Sequence, residues 1–300
     1  MTIAIDQLRI GFIGAGRLGK ALAWHFHRRG LQVASAASRL PSEAQELAQQ
    51  VPGCAVATAQ EVADSCDLVF VTTPDEAIRP TVDALRWRAG SSVVHCSGAT
   101  EVSDLAHAAT EGASIGGFHP LQTFGDPEAA ARSLPGCTIT IEAGEPLDAI
   151  LVAIAERIGC RVNRLPPGAR PLYHAAAGYT SQHVNAILAE AAAMWQSWGA
   201  SEAATVQALL PLVQGTLASI AQTGLARGMP GPVSRGDVAS VRKHVDAIAQ
   251  FDPQRLRLYQ ELCERTVQLA LAGERIDAST AARVRAVLQG AGDAPLRSAA

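Results

Sequence analysis

Gly14, Gly16 and Gly19, with Ala15, Arg17 and Leu18 between them, carry the most specific chemistry in the chain. They stand in GxGxxG spacing directly behind an apolar run at residues 8–13, and a helical pattern of Leu18, Leu22 and Phe26 follows, closed by Gly30. In a strand–turn–helix setting each glycine has its own task. The first permits the tight turn, the second lets backbone approach a pyrophosphate, and the third lets the helix pack on the strand. The free N–H groups of the helix start then hold the anion. The alternative is an ordinary tight turn between a strand and a helix. About 20 residues beyond the glycines, a dinucleotide site that favours NAD carries an acidic residue for the ribose hydroxyls. Here the sequence reads Ala36-Ala37-Ser38-Arg39. A hydroxyl and a guanidinium there suit a 2′-phosphate, because Arg makes charge-assisted bonds to phosphate oxygens. The expectation is therefore NADP, with Arg17 helping on a phosphate. The bland reading of Arg39 is a solvated loop arginine.

These residues need a sheet to position them. Apolar runs at 8–13, 31–36, 54–58, 67–72, 91–96, 114–118, 137–142 and 160–165 alternate with helical patterns at 42–50, from 75, at 101–109 and at 146–158. Such alternation predicts an α/β fold with a doubly wound, mostly parallel Rossmann sheet. Ligands bind beyond the carboxyl ends of such strands. That singles out Thr72, Thr73 and Pro74, then Ser97 and Gly98, then His119, as further cofactor-binding residues. Pro166, Pro167 and Gly168 mark a boundary, after which no strand pattern is evident. Residues 170–199 read as one long alanine-rich helix, and further helices are expected at 201–226, 235–250, 253–272 and 278–289. The organisation expected is a dinucleotide-binding domain over 1–166 and an all-helical domain for substrate binding and dimerisation over 167–300. The tail from 290 to 300 reads as frayed.

Composition narrows the partners. Of 300 residues, 48% are hydrophobic and 18% charged, which is ample for a large core in a soluble protein. A net charge of −3 offers no field for nucleic acid or an acidic membrane surface. No apolar stretch reads as long as the ~18 residues of a membrane span. The N-terminus lacks the pattern of a secretory signal, so a cytoplasmic protein is expected. Six cysteines occur without a CxxC pair or a ligand cluster. They read as buried free thiols, with no metal site.

Taken together, GFIGAGRLGKALA, VTTPDEAI, HCSGA, FHPLQTF, YHAAA with Ser181 and Asn185 beyond it, and GPVSRGD occur in that order. This series resembles a family of Rossmann-like proteins with a helical C-terminal domain of unknown function. The family belongs to the 6-phosphogluconate-dehydrogenase-like group, beside ketopantoate, pyrroline-5-carboxylate and imine reductases. The resemblance implies an NADP-dependent reductase of a small molecule, dimeric, with its active site between two domains. Ketopantoate is the substrate it makes worth naming. Imine reduction and non-catalytic NADP binding are the alternatives.

Reduction of a carbonyl needs a proton donor beside the hydride donor. Better-known relatives supply it from a lysine on the first long helix of the second domain, with an asparagine one turn later. This chain has no lysine there. Instead His174, Gly178, Ser181 and Asn185 fall on one face of a continuous helix, flanked by Gln182. His174 is the expected general acid, and Ser181 and Gln182 the groups that orient the substrate. Arg235, in the glycine- and proline-bounded turn at 231–237, is expected to grip a substrate carboxylate. Asp237 would orient Arg235 or His244, unless it simply caps the next helix. His25 and His27 read as a solvated face, and His183 as structural.

Overall fold

The computed structural model describes residues 5–125, 132 and 134–290. Part of the expected 119–135 loop and nearly all of the expected frayed tail lie outside these. The chain divides into two compact units, Met1–Ser181 and Gln182–Ala300.

The first unit is an eight-stranded sheet in the order β3-β2-β1-β4-β5-β6-β7-β8. Its strands are β1 (Ile10–Ile13), β2 (Val33–Ala37), β3 (Ala55–Val56), β4 (Leu68–Val71), β5 (Ser92–His95), β6 (Ser114–Pro120), β7 (Thr138–Ala143) and β8 (Arg161–Arg164). All pairs are parallel except β6 with β7. The apolar runs are buried strands because helices cover both faces. Leu22 and Phe26 of α1 (Arg17–Arg28), Leu47 of α2 (Pro41–Gln50) and Leu151 of α6 (Leu147–Arg157) fill one side. Val62 of α3 (Ala59–Ser65), Ile78 of α4 (Asp75–Asp83) and Ala108 of α5 (Ala106–Thr110) fill the other. Phe12, Phe26, Phe70 and Phe118 form an aromatic centre with neighbouring ring centroids 5.3–6.3 Å apart. His25 is part of this interior. Contrary to the solvated reading it is buried, with Nε2 2.9 Å from the Ile158 carbonyl oxygen.

The expected single helix at 170–199 is two. Helix α7 (Arg170–Thr180) ends at Ser181, whose φ of −122° and ψ of −86° leave the helical region, and α8 (Gln182–Gln196) starts beyond it. Helix α7 belongs to the sheet unit, where Arg170 ties it down, and not to the helical unit that begins beyond Ser181. The second unit continues with α9 (Glu202–Arg227), α10 (Val238–Phe251), α11 (Pro253–Ala272) and α12 (Ala278–Gln289). Its core joins Val241, Val245, Val267 and Val284. Helix α9 is long and apolar enough, by length and composition alone, to cross a membrane, which the sequence reading had not expected. It contains Pro211, and Gly224 interrupts it with a φ of +80°. Leu212, Leu217 and Leu225 on it are 64%, 60% and 64% exposed.

Candidate active site

The glycine loop has the geometry a pyrophosphate needs. Gly14 sits at φ +107°, and a Cβ there would lie 2.7 Å from the Thr72 carbonyl carbon. A Cβ on Gly19 would lie 2.2 Å from the Gly14 oxygen, so helix and turn pack at a distance only glycine allows. Above Gly16 there is open space, and no side chain caps α1. The first-turn N–H groups are thus free for an anion. Thr72 holds the loop, its hydroxyl donating to the Gly14 oxygen at 2.6 Å. Thr73 Oγ1 is buried without a partner among the described residues. An unpaired buried hydroxyl beside an open anion cradle is what a nucleotide site requires of the protein. NADP fits these residues. Ser97 plays a different part from the one expected. Its Oγ accepts the Ala99 and Thr100 N–H groups at 3.1 and 2.9 Å, so it shapes the loop around Gly98.

The outer nucleotide pocket carries a group the local sequence hides. Ser38 Oγ donates to Glu43 Oε2 at 2.8 Å. The carboxylate comes from the first turn of α2, where the helix dipole favours it. The stretch at 36–39 has no acidic residue, but the folded pocket borders one. Arg39 is exposed beside it.

At the far end of the sheet, two rows of side chains share the face opposite Phe118. In the first row His95, Gly117 and Glu142 are register partners on β5, β6 and β7. Arg170 lies across it, fully buried. Its Nε donates to Glu142 Oε2 at 2.6 Å and its Nη1 to the Ser97 carbonyl at 2.8 Å. Only glycine allows this, since a Cβ at Gly117 would stand 1.8 Å from Nη2. Arg170 Nη2 and both ring nitrogens of His95 are buried without partners among the described residues. Burial, then the charges of Arg170 and His119, push the His95 pKa down to about 3.

In the second row His119, Thr140 and Asn163 are partners on β6, β7 and β8. Asn163 Nδ2 donates to Thr140 Oγ1 at 3.3 Å. The Thr140 hydroxyl neighbours the phenol of Tyr173, whose Oη is 2.7 Å from His119 Nδ1. Burial, then His174 and Arg170, push the His119 pKa down to about 4. The His119 and His174 rings meet edge to face at 6.3 Å. Between them is Gly98, where a Cβ would lie 2.9 Å from His119 Nε2 and 2.8 Å from His174 Cδ2. His174 thus lies against the strand-end loop at Gly98. Sequence reading missed Arg170, Glu142, Tyr173, Thr140 and Asn163. The adjacent Tyr173-His174 pair was the only available signal, since the rest depends on strand register.

The other expected site residues have more local partners. Ser181 Oγ donates to the Ala177 oxygen at 2.9 Å, one turn back, and the helix break at Ser181 removes the continuous 174–185 face. Gln182 Nε2 lies 3.3 Å from His183 Nε2. In the second unit Arg235 is exposed on a short 3-10 turn, Val233–Arg235. Asp237 caps α10, accepting the Ser240 N–H at 3.0 Å and its hydroxyl at 2.6 Å. Those bonds, first, hold its pKa below the usual carboxylate range. Asp237 does not orient His244, whose Nδ1 pairs with Tyr259 Oη at 2.9 Å. Among the described residues there is no cluster able to hold a metal ion.

Residues 9–98 match the family described as NADP oxidoreductase, coenzyme F420-dependent, and residues 137–266 match a domain of unknown function, DUF2520. No curated protein matches the chain in sequence. Among solved structures, a candidate NADP oxidoreductase from Bacteroides fragilis is 27% identical over 88% of this chain and 99% of its own, with a TM-score of 0.67. A reductive aminase from Aspergillus terreus in complex with NADPH is 17% identical over 95% and 93%, with a TM-score of 0.60. A pyrroline carboxylate reductase from Plasmodium falciparum with NADP bound is 10% identical over 95% and 99%, with a TM-score of 0.59. At these low identities the last two show shared fold alone. The chain is an NADP-dependent oxidoreductase in which a segment matching the NADP-oxidoreductase family is followed by one matching DUF2520.

Proposed function

We propose that the protein reduces a small carbonyl compound with NADPH, and that the first substrate class to test is a branched 2-oxo acid such as ketopantoate. Bound NADPH supplies a hydride. The chain's own residues bind the cofactor, exclude water and hold the proton. The glycine loop with Thr73 grips the pyrophosphate, and Ser38 and Arg39 face the 2′-phosphate. The observation that carries this reading is the convergence of strand ends β1, β4, β5 and β6 on one side of the sheet, with His119 and His174 meeting at Gly98. Imine reduction is the second reading, because a pyrroline carboxylate reductase and a reductive aminase share the fold. The test is NADPH oxidation over 2-oxo acids, aldehydes and cyclic imines. Turnover of an oxo acid supports the first reading and turnover of an imine only the second. Firm NADPH binding with no turnover would make the protein a sensor or scaffold.

We further propose a homodimer formed through the helical unit. Leu212, Leu217 and Leu225 of α9 stand exposed, and a second copy would cover them. Light scattering of a monomer at micromolar concentration would refute this. Six free thiols suit a reducing compartment, and a cytoplasmic location accords with them.

A further inference from the structure

We infer that His119 is the group that gives the proton to the reduced substrate, from Nε2, and that Tyr173, Thr140 and Asn163 fix it in the tautomer that can do so. This rests on the reductase reading and names the proton path within its site.

Hydrogens pass along one row of side chains. The Asn163 amide nitrogen has only hydrogens to offer, so Thr140 Oγ1 accepts from it. The single hydroxyl proton of Thr140 is then free for Tyr173 Oη. Burial raises the Tyr173 pKa, and the neighbouring Thr140 hydroxyl works against that rise. The inferred proton path runs from Tyr173 Oη to His119 Nδ1, 2.7 Å away. Nδ1 is therefore the acceptor, and the neutral ring carries its hydrogen on Nε2. Nε2 has no partner among the described residues, and it faces the space left by the missing side chain of Gly98. Burial and the neighbouring charges keep the ring neutral at physiological pH. His174, exposed and without such a chain behind it, has nothing to set its tautomer.

The step balances. As the substrate carbonyl carbon gains the hydride, its oxygen takes the proton from His119 Nε2, and the N–H electron pair stays in the ring. Nδ1 takes the proton from Tyr173 Oη, and the O–H electron pair stays on the phenolate. The phenolate lies beside the Thr140 hydroxyl and in the field of Arg170. Water then returns one proton to His119 Nε2, and the Nδ1 proton goes back to the phenolate, which restores the starting tautomer. For an imine, the substrate nitrogen takes the proton in the same way. His119 is catalytic in this scheme, and Tyr173 is a positioning residue and proton reservoir.

The first test needs no substrate. Long-range ¹H–¹⁵N spectra of the histidine rings in the full chain, with and without NADPH, should show the His119 ring, assigned by its loss in His119→Gln, as neutral Nε2–H at pH 7. It should stay neutral at pH 5 and become a tautomer mixture in Tyr173→Phe. A His119 ring found as Nδ1–H or as imidazolium at pH 7, or a Tyr173→Phe spectrum like the wild type, overturns the inference. The second test is one turnover of bound NADPH with whichever panel compound the wild type reduces. General acid catalysis is worth ~100-fold or more, so His119→Gln should lose about that factor while NADPH affinity stays within about threefold. Tyr173→Phe should slow the step about tenfold and turn a curved proton inventory, with two protons in flight, into a linear one. A wild type that turns over beside unaffected variants overturns the inference alone. A wild type that holds NADPH and reduces nothing overturns the reductase reading, and the ring spectra still decide the tautomer.

Discussion

Replacing Arg170 with alanine should loosen α7 from the sheet. The guanidinium is fully buried, and its partner Glu142 has a side chain only 10% exposed. The substitution removes two charge-assisted bonds, to Glu142 and to the Ser97 carbonyl. It also leaves the carboxylate without its cation and opens a cavity over Gly117. Breaking a buried pair from one side costs ~3–5 kcal/mol. Glu142 keeps some access to water, so the lower end, ~3 kcal/mol, is the expectation. At about 1.4 kcal/mol per decade, local opening should become about 100-fold more frequent. Hydrogen exchange of peptides spanning residues 170–180, read by mass spectrometry, measures that opening directly. Global unfolding is a poorer assay here, because two units need not unfold together. Pairing Arg170→Met with Glu142→Leu removes both charges and should restore much of the protection. A loss below ~1 kcal/mol in Arg170→Ala, well under the cost of an orphaned buried charge, would refute the anchoring role. So would a double variant less protected than the single one.

Acid should destabilise the sheet unit well above the carboxylate range. His25 and His95 are buried and His119 is half-buried, all with lowered pKa values, the last two near 3 and 4. The unfolded chain binds these protons from about pH 6.5 downward and the folded chain does not, so stability falls as pH drops through that window. Each group contributes up to about 1.4 kcal/mol per pH unit. Thermal melts between pH 7 and pH 4.5 should show the fall, and a flat profile contradicts it. Arg39→Ala should weaken NADPH by about 10- to 100-fold, the worth of a charge-assisted bond, and leave NADH unchanged. Glu43→Gln should tighten NADPH instead, and fluorescence titration checks both. Gly98→Ala places a methyl group 2.9 Å from His119 Nε2. It should cut turnover at least tenfold, the low end of what a blocked proton donor costs, and leave NADPH binding intact, as kinetics and titration together would show.

Much of this molecule was legible from periodicity alone. The apolar runs behind β1, β4, β5 and β6 and the glycine spacing are local signals, set by burial on two faces and by a turn that excludes side chains. What escaped was non-local. Glu43 reaches Ser38 only once α2 folds back, and Arg170 finds Glu142 across 28 residues. The His119–Thr140–Asn163 row exists only through the register of β6 to β8, with one antiparallel pair that alternation of strands and helices does not encode. The break at Ser181 was hidden because alanine-rich sequence on both sides is equally helical. Asp237 shows the reverse. Its position before a helix predicts a cap, and the cap accounts for both carboxylate oxygens.

The reductase account is tested most directly by loading the purified chain with one equivalent of NADPH and following the reduced nicotinamide after addition of each 2-oxo acid, aldehyde and cyclic imine. The account predicts loss of one equivalent per chain with at least one of these compounds, and weaker loading with NADH. Reduced nicotinamide that persists, tightly bound, with every compound contradicts it.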